Sequence, residues 1–379
     1  MDGARISMMG GLGSGPSMNR LISSGGDPNS CRPWIGQDGQ AYITRMTMNS
    51  DGQMVGQPVP VMNANATLLR LEWTLLDQTV IRAALPRLRA VADVRGRGLQ
   101  MTIPNGFGKT RLDRQAQSDI GPATISMDGL AKSSGDRPIY NLGSIPLPII
   151  HKDFSFSARE IATSRAGNMP LDLTTAELAG RRVAEAAEQL LLGTYSGTYQ
   201  VAGNILYGMT NFPQRLTKTM TLPTGSNPST TLAEVLAMRQ QSQNALHFGP
   251  WVLYTSLSWD QFLDNDYILT GGNVATQTLR QRLRAIEGIE DVVTLDYLKG
   301  YDMLLVQQTQ DVVREVVGMD ISTLQWETQG GMEANFKVMC ILVPDVRADF
   351  NGNTGIVHGT VSGQTAVTAG VQTVTVGNP

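Results

Sequence analysis

The hydrophobic pattern divides the chain into stretches of helical spacing, stretches of alternation and stretches with neither. The clearest helical run is "LDLTTAELAGRRVAEAAEQLLLG", Leu171 to Gly193. Leu173, Ala176, Val183, Ala187, Leu190 and Leu191 recur on one face, and Arg181, Arg182, Glu185 and Glu188 mark a wetter side. Thr174 and Glu177 have capping-box spacing and Gly193 is placed as the stop, so a helix is predicted over about 173–193. "TLLRLEWTLLDQTVIRAAL" sets Leu68, Leu71, Leu75, Leu76 and Val80 near one helical face, and Pro86 ends it. The following "RLRAVADV" reads as a short strand.

Residues 97–148 read as one long hairpin, "LQMTIPNGFG" leading out and "PIYNLGSIPLPII" leading back. The stretch between is too polar to supply much core of its own, so it is expected to project and to meet something outside its own domain, a disordered surface loop being the competing reading. Residues 229–320 read as a compact α/β unit. It has a helix capped by Thr231 and Glu234, a buried strand "WVLYTS", a short helix "SWDQFLDN" and an amphipathic helix through Leu279, Leu283 and Ile286 that Gly288 stops. Strands "DVVTL", "MLLVQQ" and "VVREVVG" complete that unit. Residues 321–359 return through long strand-like runs, and residues 360–379 alternate Val with Thr. Residues 1–66 are Gly/Ser-rich and read as an arm, in which "AYITRMTM" alternates well enough to add a strand to a neighbour's sheet.

Composition sharpens this picture. Charged residues make up 17% of the chain, against roughly a quarter in typical soluble domains. Extended arms and large subunit contacts would account for that, because interface cores are depleted in charge; a low-charge Gly/Thr-rich surface is the alternative. The net charge of −3 argues against a polybasic nucleic-acid binder. Two distant cysteines, Cys31 and Cys340, imply no disulfide framework and a reducing compartment. No apolar run is long enough for a membrane span and the N-terminus lacks a signal-peptide layout, so a cytoplasmic protein is expected.

Catalytic motifs are missing where they are sought. "NGFGKT" lacks the first phosphate-loop glycine, since Ile103 stands there, and Pro16 replaces the third glycine of the register starting at Gly11 and Gly13. There is no G-x-S-x-G and no H-E-x-x-H; His151, His247 and His358 are isolated in sequence, and Asp264 and Asp266 read as solvated. The Asn65 sequon carries no weight without a secretory signal. One covalent option is open: Lys109 or Lys132 in the projecting loop could meet Asn351 or Asn353 of another subunit and exchange an amide. No catalytic, cofactor-binding or metal-binding residue is assigned, no cofactor is expected, and the chain is read as no enzyme.

The order of these parts, with "DFSFSAREIATSR", then "LDLTTAELAGRRVAEAAEQLLLG", then "GNILYGMTN", and "LEWTLLDQTVIRAAL" before them, resembles tailed-phage major capsid proteins with the Hong Kong 97-type fold. In texture it is nearest the encapsulin (linocin-like) branch. The likeness runs from about Thr67 to His358 and rests on element order more than on any one motif. It implies an α+β fold in named parts: an N-terminal arm (1–66), a peripheral-domain start (67–96), an extended loop (97–148) and a peripheral domain with a long spine helix (149–228). An axial domain (229–320), a return to the peripheral domain (321–359) and a strand-like tail (360–379) complete it. The implied function is self-assembly of pentamers and hexamers into an icosahedral shell around phage double-stranded DNA, contacted non-specifically. Scaffold, portal and cement proteins are expected partners, and the expected location is a virion built in the bacterial cytoplasm. An encapsulin-type compartment around cargo enzymes is the alternative, and a soluble α/β enzyme with a disordered N-terminus is the second. Encapsulins are shorter than this chain, and the long arm and Thr/Val tail favour a viral shell.

Overall fold

Two sheets and one long helix carry the architecture. The computed structural model describes residues 32–361 apart from 37, 49–53, 61–67, 119, 129, 131, 133–134, 168–170, 196–198, 202–203, 225–227, 269–273 and 329–331. The segments 1–31 and 362–379, and with them Cys31, the Gly-rich start and the Thr/Val tail, lie outside the described residues, as does Asn65.

The described chain opens with β1 (Trp34–Ile35), β2 (Ala41–Met48) and β3 (Met54–Pro60), an antiparallel three-stranded sheet. The alternating "AYITRMTM" is β2, and it pairs within its own chain, with β1 on one side and β3 on the other. Helix α1 (Arg70–Ala84) follows. Its inner face is Trp73, Leu76, Val80 and Ala84, not the expected Leu71 and Leu75, which are exposed. The large Trp73 decides the rotation: its indole donates to the Pro33 carbonyl at 2.9 Å and its ring meets Phe336 edge-on.

"RLRAVADV" is not a strand but helix α2 (Arg89–Gly96). Ala90, Val91 and Val94 are buried on one helical face, a spacing that alternation cannot give. Next come β4 (Gln100–Thr102), β5 (Arg111–Gln117), β6 (Tyr140–Pro146) and β7 (Ile150–Ser157), then helix α3 (Ala158–Ala166) and the spine helix α4 (Thr174–Leu192). The expected Thr174/Glu177 box does not form; Asp172 caps α4 instead, accepting from the Thr174 amide at 3.0 Å and hydroxyl at 2.6 Å. Gly193 closes α4 in the left-handed region at φ 79°, as the stop requires.

Small residues bring neighbours close to α4. Ala176, Ala179, Gly180, Val183, Ala184 and Ala187 are buried, and a Cβ on Gly180 would sit 2.9 Å from the Val80 carbonyl of α1. After α4 come β8 (Gln200–Val201) and β9 (Asn204–Ile205), and "YGMTN" then folds back: the Met209 and Thr210 amides donate to the Leu191 and Leu192 carbonyls at 3.0 and 2.8 Å.

The remaining elements are β10 (Leu216–Met220), α5 (Pro228–Asn244), β11 (Trp251–Ser256), α6 (Asp260–Leu263), β12 (Asp266–Ile268), β13 (Val274–Thr278), α7 (Leu279–Arg284), β14 (Ile289–Leu295) and β15 (Met303–Gln307). Last are β16 (Val313–Thr328), β17 (Glu333–Val346) and β18 (Ile356–Val361). Helix α5 starts at Pro228, so Thr231 is interior and buried, and Glu234 accepts from Thr221 rather than capping the helix.

Two sheets sort these strands: β10-β18-β15-β11-β14 and β4-β16-β17-β7. The first is the core of the α/β unit, the second lies against α4. Sheet membership moves two expected boundaries. "VVREVVG" is the start of β16 and belongs to the four-stranded sheet, whereas β10 and β18, outside 229–320, complete the five-stranded one. A core of Phe156, Ala184, Leu191 and Phe336 lies between α4 and the four-stranded sheet, and a second core around Trp251, Trp259 and Leu283 lies under α5 and α7.

Candidate assembly surfaces

Strands β5 and β6 pair from Arg111↔Pro146 to Gln117↔Tyr140 and, among the described residues, join no third strand. The expected hairpin is therefore a two-stranded ribbon whose strands occupy 111–146; β4, in its outward arm, belongs to the sheet below. Along β5 exposed and half-buried positions alternate; only the root half is covered, where Ile145 and Leu147 are buried against Ile103, Val316 and Ile341 with Leu112 beside them. A two-stranded ribbon in water is marginal, and what fixes this one is its root. Arg114 of β5 donates to the Asp345 carboxylate at 3.0 Å and to the Val346 carbonyl at 2.8 Å. Arg314 donates to the other Asp345 oxygen at 2.7 Å, and Arg347 stands 3.9 Å away. Asp345 is fully buried, so three guanidiniums converge on one desolvated carboxylate.

The far end of the ribbon is mostly polar, yet it carries bare apolar side chains. Beyond the Ser118–Ile139 closure, Ile125 (98%), Met127 (107%) and Leu130 (83%) are exposed, and Leu142 (76%) continues the patch along β6. Side chains of this kind are stable in water only as scattered singletons; grouped on one projection they mark a contact surface.

A second junction links the spine to both sheets. Glu188, expected on the wet side of α4, is 1% exposed. Its carboxylate accepts from the Ala90 amide at 2.6 Å and the Val91 amide at 3.2 Å, the free donors at the start of α2. Burial pushes its pKa up to about 7, the two amides oppose the shift, and the charges of Asp296 and Glu315 add to it. The rest of α2 reaches outward. Asp93 accepts from the Tyr254 hydroxyl at 2.5 Å, and Gln308 donates to that hydroxyl at 2.9 Å. Burial, then the Asp93 charge, hold the Tyr254 phenol well above its usual range. Arg95 pairs with buried Glu315 at 2.5 Å, and Arg97 binds Asp93 and Glu290. Helix α2 thus joins the spine, the four-stranded sheet and the five-stranded sheet through charged groups. Glu185, three residues earlier, keeps 13% of its side chain exposed and pairs with Arg181 and Arg182; Glu188 stands one turn from buried Ala184 and Leu191, and the position of α2 completes its burial.

The residues singled out in sequence stand apart. "NGFGKT" forms a 3₁₀ turn at Gly106–Gly108, with Asn105 left-handed at φ 52° and its side chain accepting from the Gly108 amide. Its glycines serve a close crossing, since a Cβ on Gly106 would collide with the Gly318 backbone. Lys109 is exposed at the ribbon root, Lys132 is exposed in the distal stretch, and Asn353 is held by Asp349 at 3.0 Å. His151 is half-exposed on β7, His247 borders a cleft of about 520 Å³ beside Arg114 and Arg347, and His358 is buried 3.5 Å from Asp302. Asp264 is solvated as expected, with 62% of its side chain exposed, and Arg280 bridges it to Asp260 at 2.8 and 2.6 Å. Cys340 is buried in β17, and burial raises its thiol pKa far beyond the reactive range. Among the described residues no group of three or more His, Cys, Asp or Glu side chains is placed to hold a metal ion, and no helix is long and apolar enough to cross a membrane.

Comparison with known proteins places this geometry. Residues 63–359 match the model of a family described as a family of unknown function, DUF6260. The type 1 encapsulin shell protein EncA of Myxococcus xanthus (strain DK1622) is 25% identical over 266 residues, 68% of this chain and 83% of that protein. A virus-like particle from Pyrococcus furiosus superposes with a TM-score of 0.50 at 17% identity, over 76% of this chain and 99% of its own. The capsid of Myoviridae phage XM1 gives 0.50 at 10% identity, over 67% and 86%. The capsid of a native GTA particle gives 0.51 at 12% identity, over 72% and 91%.

Proposed function

The chain belongs to the family of unknown function DUF6260 and has the Hong Kong 97-type capsid fold, and from these premises we propose that it is a shell-forming subunit, the major capsid protein of a tailed phage. The observation that carries the shell reading is the ribbon 111–146: braced at its root by Asp345 and the cluster around Ile145, uncovered beyond it, and bearing exposed Ile125, Met127 and Leu130 at its far end. Such a projection is stable when its end is seated on another subunit. In this reading the ribbon lies over a neighbour's peripheral domain, and the five-stranded units meet around the five-fold and six-fold axes of pentamers and hexamers. Double-stranded DNA is held by confinement, in keeping with a net charge of −3. Scaffold, portal and cement proteins are partners of the same proposal, as is assembly in the bacterial cytoplasm.

An encapsulin-type compartment is the second reading, favoured by the match to EncA over most of that protein's length. The viral reading is preferred for the residues that lie before and after the 63–359 match. Particles purified from the cells that make them separate the two. Nuclease-protected double-stranded DNA of uniform length is expected; particles filled with one enzyme and free of DNA overturn the viral reading and leave the shell reading standing.

A further inference from the structure

Two Asn–Gly pairs stand in the chain, Asn105–Gly106 and Asn351–Gly352, and the fold treats them differently. Asn105 is left-handed, and its side chain accepts from the Gly108 amide at 3.3 Å. Gly106 is buried, and a Cβ there would lie 2.3 Å from the Gly318 Cα, so backbone is clamped against backbone. Asn351 is exposed in the turn that carries the chain from β17 to β18. Among the described residues no hydrogen bond holds its carboxamide. Around Gly352 there is open space: a Cβ would meet only the Gln214 side chain, at 3.8 Å. One turn bond ties the Gly352 amide, which donates to the Asp349 carbonyl at 3.1 Å.

We propose that Asn351 is a site of spontaneous deamidation, with water as co-reactant, in the link between the two sheets. The Gly352 backbone nitrogen gives its proton to hydroxide and attacks Cγ of Asn351. A bond from that nitrogen to Cγ forms, the bond from Cγ to the side-chain nitrogen breaks, and the amine leaves as ammonia with a proton from water. The five-membered imide then adds one water. Opening at Cγ leaves an aspartyl residue at position 351; opening at the main-chain carbonyl leaves an isoaspartyl link, with the backbone passing through Cβ and Cγ. One water enters, one ammonia leaves, and no electrons are exchanged. Ring closure requires the following nitrogen to swing toward Cγ, which a glycine permits because it has no Cβ in the way. At Gly106 that swing drives backbone into Gly318. At Gly352 it needs only the turn bond to open, and exposed turns open at low free energy. The product would lie where it matters to the fold. Asp349 clamps the turn, accepting from the Asn353 amide at 2.6 Å and its carboxamide at 3.0 Å, and β18 then enters the five-stranded sheet between β10 and β15. Conversion sets a second carboxylate two residues from Asp349 and, in the isoaspartyl form, lengthens the link. Nothing in this step depends on shell assembly.

The test uses the full-length protein, aged in mildly alkaline water enriched in heavy oxygen and then read by peptide mass spectrometry, with isoaspartyl methyltransferase to report the isoaspartyl form. Position 351 is expected to take up one heavy oxygen, as a mixture of isoaspartyl and aspartyl, about tenfold or more faster than position 105. No label at 351, equal labelling at 105 and 351, or an aspartyl product alone, which means direct hydrolysis without the ring, overturns the proposal. A second measurement repeats the ageing in concentrated urea. There the two rates are expected to converge, because both glycines are then free. A lag at Asn105 that persists in the unfolded chain would place its protection in the neighbouring sequence and contradict the role given to the Gly106–Gly318 crossing.

Discussion

Glu188 is a carboxylate buried between two helices, and its protonation is tied to folding. Its pKa is about 7 in the folded chain against 4.5 as the reference. A group whose folded pKa is raised binds its proton more tightly in the native state. Its contribution is therefore complete below about pH 4.5 and is lost as the pH rises to 7, by about 3 kcal/mol in all. Glu188→Gln removes the titration but keeps an oxygen for the Ala90 amide. Thermal unfolding between pH 5 and 8 is expected to show a flatter pH dependence for the variant, and an unchanged slope would assign the titration elsewhere. Asp345 is the opposite case, a buried anion among three partly exposed guanidiniums. Asp345→Ala leaves them without a counter-charge and is expected to cost about 3 kcal/mol. It also frees Arg114, so protease cleavage between residues 118 and 139 is expected to accelerate more than global unfolding explains.

At the scale of elements, α4 shows what periodicity conveys and where it fails. Its limits, its alanine-rich face and its Gly193 stop are all legible, because an apolar stripe and a left-handed glycine are local properties. Its N-cap is not: Thr174 and Glu177 have the right spacing, but Asp172 reaches the Thr174 amide first. The same holds at Thr231 and Glu234, while real boxes at Ser157/Glu160 and Thr278/Gln281 precede shorter helices that draw less notice. "RLRAVADV" is ambiguous over eight residues, and the contact with Glu188, 98 positions away in sequence, completes it as a helix. Ribbon and spine are readable as parts; the Asp345 and Glu188 junctions are not, since they join residues hundreds or scores of positions apart. The close approach of α1 and α4 gives a direct check. Gly180→Ala gains helix propensity of about 1 kcal/mol, yet its Cβ meets the Val80 backbone at 2.9 Å. Backbone cannot yield as a side chain does, so a net loss of about 1–2 kcal/mol is expected in chemical denaturation, and a gain would show that the helices part freely.

For the whole molecule, low charge and a ribbon whose far end bears exposed apolar side chains are the observations behind the proposal that this chain works in the company of other copies. The ribbon end makes that separable from folding. Replacing residues 120–137 by a short Gly/Ser turn beyond the Ser118–Ile139 closure is expected to leave a soluble subunit with an unchanged circular dichroism spectrum that no longer assembles. Loss of folding would mean that the ribbon serves its own core. The central claim itself is tested most directly by electron microscopy of the purified full-length protein over a range of salt and concentration. Closed shells, or pentameric and hexameric capsomers, are predicted; monomers or small open oligomers under every condition would contradict the account.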